Sequence, residues 1–279
     1  MNDPTWMSED EPPIGPIGIM GWLRVIVRGI IVFVLLATCL LTLLLLRLVE
    51  APLYGKRRPW TPYITQFVCQ SVFVILGMKL QVRGTPMRDM GAAVANHASW
   101  VDIISLNARD RIYFVAKEEV AGWPGIGWLA RATGTMFVKR DRAEAVAQTK
   151  AMETRLKLGH RLLFFPEGTS TDGQRVLPFK PTLFQSFLAE GLRADMQVQP
   201  ITVSYYAPEG EDPRYYAWWG ETDLAPHLLK ALAARRHGKA VVEYHPPVSV
   251  ADFTNRKALA LRLETDVRDG LFDGTPPAP

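Results

Sequence analysis

Cysteine is scarce in this chain of 279 residues. There are two, Cys39 and Cys69, and both sit in strongly apolar segments. That excludes a disulfide framework and a cysteine-based zinc site, and leaves both thiols as packing or lipid-facing groups. The five histidines show no metal-ligand spacing, so no metal is expected. No Gly-x-Ser-x-Gly elbow occurs, which removes support for a serine hydrolase. Charge of one sign is not in large excess either. A net charge of +4 suits an anionic membrane surface or anionic substrates and is too mild for a nucleic-acid binder.

Hydrophobic residues are plentiful but unevenly spread. Residues 1–20, with Asp3, Glu9, Asp10 and Glu11 among several Pro and Gly, read as a flexible acidic lead. Residues 29–46 then form an uncharged aliphatic run between Arg28 and Arg47. It is just long enough for a transmembrane helix, with Gly21 to Val27 adding length and Arg24 and Arg28 snorkelling. A signal peptide fits less well, because the run starts late, meets Arg47 directly and lacks a small-residue cleavage pattern. A buried core helix is the remaining alternative, disfavoured by so pure an aliphatic composition. Arg47, Lys56, Arg57 and Arg58 outnumber Arg24 and Arg28, which places the residues after 47 in the cytoplasm, at the inner membrane. A second apolar stretch, Tyr63 to Leu80, carries Gln66, Gln70 and Ser71, and is expected to lie in the interface or pack on the domain rather than span.

The anchoring region is bounded at 21–81. From residue 82 short apolar runs alternate with amphipathic stretches. Val94–Asn96, Ile112–Ala116, Thr135–Val138, Leu162–Phe165, Val198–Tyr205 and Ala240–Tyr244 read as strands. Val101–Asn107, Ala143–Leu158, Lys180–Glu190, Pro226–Arg236 and Asn255–Leu271 read as helices. This alternation predicts an α/β domain over 82–271, with a central mixed sheet flanked by helices, and a disordered tail over 272–279.

The chain is organised around Asn96-His97-Ala98-Ser99-Trp100-Val101-Asp102, directly after the apolar run Gly91 to Ala95. A strand that ends in a turn can point a side chain into a cleft. An imidazole there takes a proton from a hydroxyl near neutral pH, and a carboxylate on its other nitrogen fixes the tautomer. The bland alternative is that Ser99-x-x-Asp102 is a helix capping box and His97 an ordinary turn residue.

Later segments could converge on the same place. Lys117 ends one strand and is either an anion contact or a solvated helix start. Ala121 to Trp128 is apolar and aromatic, suited to a greasy channel wall or to a turn with two core tryptophans. Arg140, after the strand Gly134 to Val138, could fork onto a phosphate or carboxylate, or belong to a solvated basic face. Phe165-Pro166-Glu167-Gly168-Thr169-Ser170 ends a buried strand in a turn with a carboxylate, a flexible backbone and two hydroxyls. Val198 to Tyr205 is a strand with Pro200 near its start.

In order, these segments resemble the 1-acylglycerol-3-phosphate acyltransferase family, the glycerolipid acyltransferases with a His-x4-Asp motif. Asn96-His97 to Asp102 matches the first motif, Gly134 to Arg140 the second, Phe165 to Ser170 the third and the strand around Pro200 the fourth. The resemblance implies a membrane enzyme that moves an acyl group from acyl carrier protein or coenzyme A to a lipid hydroxyl. His97 would be the general base and Asp102 its orienting partner. Asn96, Lys117, Arg140, Glu167, Gly168, Thr169 and Ser170 would contact substrate, with no cofactor beyond the donor. Ser170 to Lys180, Tyr216 to Gly220 and Pro226-His227-Leu228 look like the lyso-ornithine lipid acyltransferase branch. That implies a lyso-ornithine lipid acceptor, with 1-acylglycerol-3-phosphate as a second acceptor or the sole one. A non-catalytic membrane-tethered binding protein and a thioesterase-like hydrolase are the competing readings.

Overall fold

The purest aliphatic stretch forms a single helix, α1 (Ile19–Tyr54), in a computed structural model that describes residues 6–7, 12–139, 143–220 and 222–274. Its 36 residues give a length of about 54 Å, against roughly 30 Å for the hydrocarbon core of a bilayer. Gly55, at a φ of +59°, ends it, and a short basic turn leads into α2 (Thr61–Leu76), which runs back along α1. Glu50 of α1 is fully buried. Its carboxylate accepts the N–H groups of Trp60 (2.7 Å) and Thr61 (3.1 Å) and the Thr61 hydroxyl (2.9 Å). A side chain of one helix thus caps the open N-terminus of the next.

The remaining elements are β1 (Lys79–Arg83), β2 (Gly91–Ala95), α3 (Val101–Arg109), β3 (Ile112–Lys117), α4 (Ile126–Thr133), β4 (Met136–Val138), α5 (Ala145–Lys157), β5 (Arg161–Phe164), α6 (Glu190–Arg193), β6 (Gln197–Tyr206), α7 (Leu224–Ala233), β7 (Lys239–Tyr244), β8 (Val248–Ser249) and α8 (Arg256–Asp269). The strands form one mixed sheet in the order β1-β7-β6-β2-β5-β3-β4, with β8 beside β6. The pairings are parallel except those of β6 with β7 and with β8. Central β2 is buried along its whole length, and its residues alternate between two cores. Ala92 and Val94 meet α5 and α8 on one face; Ala93 and Ala95 meet α2 and α3 on the other. Because β2, β3, β4 and β5 are parallel, the turns at their C-terminal ends gather along one edge of the sheet, where α/β proteins place their chemistry.

The helical hairpin is fastened to this body by donors on helix ends. Arg24 donates to the Ala233 carbonyl (2.6 Å), and Arg28 to those of Leu232 (2.9 Å), Ala234 (2.7 Å) and Leu76 (3.3 Å). Arg58 donates to Ala132 (2.7 Å), Gln66 to Arg109 (2.9 Å) and Gln70 to Ala108 (2.8 Å). Every one of these carbonyls lies at the C-terminal end of α7, α2, α4 or α3, where the last-turn C=O groups have no N–H donor of their own and the helix dipole is negative. This corrects the snorkelling expected of Arg24 and Arg28, whose guanidinium groups have better partners in the protein. Elsewhere α1 is open to its surroundings, with Phe33 and Leu48 each 72% exposed. A helix this long and apolar associates with a membrane.

Several elements differ from expectation. β1 was hidden in the apolar stretch read as ending at Leu80; it straddles the boundary placed after residue 81 and pairs with β7. The helix expected over Lys180–Glu190 is a 3-10 helix, Pro181–Leu188, followed by α6. Its three-residue turn stacks Phe184 and Phe187 on one line into the core, ring centroids 5.7 Å apart. The chain stays packed as far as Phe272, which is buried against Tyr206, while residues 275–279 lie outside the described part. In the lead, Trp6 donates its backbone N–H to the Thr169 hydroxyl (3.3 Å).

Replacing Glu50 with Ala leaves two buried N–H groups and Arg47 without their acceptor. The expected loss is about 2 kcal/mol of stability, measured by denaturation in detergent, with the detached hairpin more open to protease.

Candidate active site

β2 ends because Asn96 takes over its ladder. The Asn96 side chain donates to the Val203 carbonyl (2.9 Å) and accepts the Val203 N–H (2.8 Å), so the main chain is free to turn away from β6. Asn96 is buried, and its amide serves the backbone rather than a ligand. The next residue, His97, emerges with its side chain 23% exposed. Its Nδ1 lies 2.6 Å from Oδ2 of Asp102 in the first turn of α3. The carboxylate accepts, so Nδ1 carries the hydrogen and Nε2 is left as the base.

Asp102 is wholly buried and accepts four hydrogen bonds. Besides His97, Oδ2 takes the N–H groups of Ala98 (2.9 Å) and Ser99 (3.0 Å), and Oδ1 takes the Tyr205 hydroxyl (2.6 Å). The capping contact and the imidazole contact are therefore one arrangement: Asp102 reaches back to Ser99 N–H while it holds the His97 ring. Burial, reinforced by Asp102, raises the Tyr205 hydroxyl well above its usual pKa, which keeps it a donor. The imidazole also stacks on Phe165, centroids 4.1 Å apart and planes 15° from parallel, so its rotation is blocked. Tyr205 and Phe165 lie in segments singled out from the sequence, but no spacing linked either to His97.

Glu167 departs from the substrate contact expected of it. Its side chain turns inward, where Oε1 accepts the His97 N–H (2.7 Å) and Oε2 the Leu177 N–H (2.8 Å). It positions the backbone of His97. Burial pushes its carboxyl up to about 8, against the pull of those two donors. Gly168 has a φ of +73°, and a Cβ there would meet Lys180 Nζ at 2.5 Å, so only glycine lets this lysine close on the turn. Thr169 and Ser170 come next, half-buried, and Thr171 N–H closes the turn on the His97 carbonyl at 2.9 Å. Lys117 ends β3 half-buried on the same sheet edge. Arg140 lies outside the described residues. Trp123, Ile126 and Trp128 are 43%, 37% and 53% exposed, an apolar surface rather than core. Among the described residues no group of His, Cys, Asp and Glu could hold a metal.

A base with a bare Nε2, held by a carboxylate and a ring stack, can activate an alcohol. A family of sequences described as Acyltransferase matches residues 80–204. The chain is 53% identical, over 97% of its length and 98% of the relative's, to the lyso-ornithine lipid O-acyltransferase of Rhodobacter capsulatus. It is 34% identical to the 1-acyl-sn-glycerol-3-phosphate acyltransferase of Neisseria meningitidis, over 73% of this chain and 79% of that one. Among solved structures, the 1-acyl-sn-glycerophosphate acyltransferase of Thermotoga maritima shares the fold, with a TM-score of 0.60, 21% identity, and 90% and 95% of the two chains covered.

The two carboxyl groups should respond differently to substitution. Asp102→Asn should lower kcat by roughly 10³–10⁴-fold with little change in KM, because the amide favours the wrong tautomer; steady-state kinetics check it. Glu167 has a folded pKa of about 8 against an ordinary 4.5, so the folded chain keeps a proton that the unfolded chain loses between those values. Its stabilising contribution is complete below the ordinary value and is lost as pH rises through the folded one. Denaturation midpoints should fall across that window, and Glu167→Gln should flatten the slope.

Proposed function

This chain belongs to the Acyltransferase family, and from that premise we propose that its site esterifies the hydroxyl of lyso-ornithine lipid to give ornithine lipid, with His97 as the base. The observation that carries the reading is the His97–Asp102 pair at 2.6 Å, locked by four donors on one buried carboxylate. Nε2 takes the proton of the lipid hydroxyl as its oxygen attacks the thioester carbonyl of an acyl-carrier-protein or coenzyme A donor. The tetrahedral intermediate collapses, and the imidazolium returns the proton to the departing thiolate. Asp102 stabilises the imidazolium, and the Phe165 stack keeps the ring facing the acceptor. No enzyme nucleophile is required.

Identity to the Rhodobacter protein extends beyond the shared family region into the last third of the chain, which favours the ornithine acceptor. The Neisseria relative supports 1-acylglycerol-3-phosphate as a second acceptor. Basic Lys117 and Lys180, with Arg140, suit an anionic lipid and an anionic carrier.

The same reading puts the enzyme on the inner membrane, domain toward the cytoplasm. Arg24 and Glu50 are about 39 Å apart along α1, yet Arg24 bonds to Ala233 near one end and Arg58, just past the other end, bonds to Ala132. A perpendicular crossing would put Ala233 and Ala132 on opposite sides of the bilayer. This spacing supports a hairpin that lies within the leaflet the domain faces, with exposed Phe33 and Leu48 toward the acyl chains.

The test is an acceptor competition. Purified protein in detergent receives one labelled acyl-carrier-protein thioester with equal lyso-ornithine lipid and 1-acylglycerol-3-phosphate. Label should enter ornithine lipid first, and His97→Ala should reduce transfer by at least about 10³-fold while remaining folded and membrane-bound. Undiminished turnover in that variant would sink the mechanism. Label in phosphatidic acid alone would sink the acceptor assignment, and label in free fatty acid alone would make the protein a hydrolase.

A further inference from the structure

A cavity of about 210 Å³ is lined by Arg214, Trp219, Thr222, His227, Lys230 and residues 12–14. It has more than ten times the ~15 Å³ that one water needs. Two bonds fasten its wall to the residues flanking His97. Trp218 N–H donates to the Ala98 carbonyl at 2.8 Å, and the Trp100 indole donates to His227 Nδ1 at 2.9 Å. Burial pulls His227 down to about 4, so it holds this link as a neutral ring at physiological pH.

None of the described lining residues carries a carboxylate, and the lining is rich in donors. Arg214 is paired with Asp212 at 2.8 Å. Lys230 Nζ donates to the Tyr215 carbonyl (3.0 Å) and rests 3.9 Å over the Tyr215 ring, with no ion pair among the described residues. Burial lowers the pKa of this ammonium against the opposing pull of Glu211 and Asp212, and a bound anion would add to that pull. Trp219 is 3% exposed, and its indole N–H has no acceptor among the described residues. An unsatisfied buried donor is unfavourable, and in a cavity wall it marks a place for an acceptor.

We propose that this cavity takes the carboxylate of the acceptor's ornithine head group, with the Trp219 indole N–H and the Lys230 ammonium as its donors, and so selects the acceptor. The inference rests on the lyso-ornithine lipid reading of the active site. In that lipid the reacting hydroxyl is on the third carbon of the amide-linked chain, and the carboxylate is on the carbon bearing the amide nitrogen. Only a few bonds separate them, so the carboxylate site must adjoin His97, as a cavity bonded to Ala98 and Trp100 does. The residues involved lie in Tyr216 to Gly220 and just beyond Pro226-His227-Leu228, the stretches that carry the branch resemblance.

The test uses the full-length protein with lyso-ornithine lipid, its methyl ester and 1-acylglycerol-3-phosphate. Trp219→Phe removes the unpartnered N–H together with the five-membered half of a buried indole, so its melting temperature is read beside the kinetics; lost packing alone lowers stability without separating the two acceptors. We expect the KM for lyso-ornithine lipid to rise about tenfold in Trp219→Phe and more in Lys230→Met, with Lys230→Arg recovering part of it. The donor KM should not move. The methyl ester should carry the same penalty in the wild type, and Trp219→Phe should add nothing to it. The KM for 1-acylglycerol-3-phosphate should stay put; an equal rise there would overturn carboxylate selection. An active wild type whose acceptor KM is unmoved in Trp219→Phe and Lys230→Met overturns the proposal alone, and Trp219→Phe decides if Lys230→Met unfolds. A wild type that leaves lyso-ornithine lipid untouched overturns the functional reading and this proposal together.

Discussion

The site depends on one buried carboxylate. Asp102 gathers a ring nitrogen, two backbone N–H groups and a phenol hydroxyl around two oxygens. A charge removed from water in this way is tolerable only when its hydrogen bonds are satisfied. The bonds that satisfy it also fix the His97 turn, start α3 and tie both to β6 through Tyr205. The helix cap and the proposed catalytic pair rest on the same geometry. The imidazole has little freedom left: Asp102 holds one edge, Phe165 one face, and Glu167 the backbone behind it.

The second carboxyl, Glu167, has a different character. It is as deeply placed as Asp102, but it meets two N–H donors and lies near Asp102 and Glu264. Burial disfavours its charged form first of all, and the nearby carboxyl groups of Asp102 and Glu264 add to this. Glu167 therefore keeps its proton far above the usual carboxylate range and acts on the chemistry through the position of His97.

The membrane hairpin is a part of the same body rather than a tether. Arginines and glutamines, residues that would burden a free lipid-facing helix, sit where domain helices end and present unpaired carbonyls. The hairpin gains its polar partners from the domain, and the domain gains caps for its helix ends. This fixes the height of the sheet edge relative to the apolar surface of α1 and of Trp123, Ile126 and Trp128.

Much of this was legible in the sequence. The aliphatic run and the alternation after residue 82 identified a membrane-associated α/β domain, because each is a local pattern set by burial; the acyltransferase reading came from the resemblance of four motifs taken in order, since Ser99-x-x-Asp102 alone reads equally well as a helix cap. Strand β1 escaped, since its apolar residues continue those of α2 and only pairing with β7 distinguishes them. The 3-10 helix at Pro181–Leu188 escaped because core packing, not propensity, chose its pitch. The direction in which Glu167 points, the roles of Tyr205 and Phe165, and the bonding of Arg24 and Arg28 rest on partners tens to hundreds of residues away. Sequence by itself determined which groups were available for chemistry; the tertiary structure decided which of them face the substrate and which face one another, because a hydrogen bond is satisfied by proximity in space and not by order along the chain.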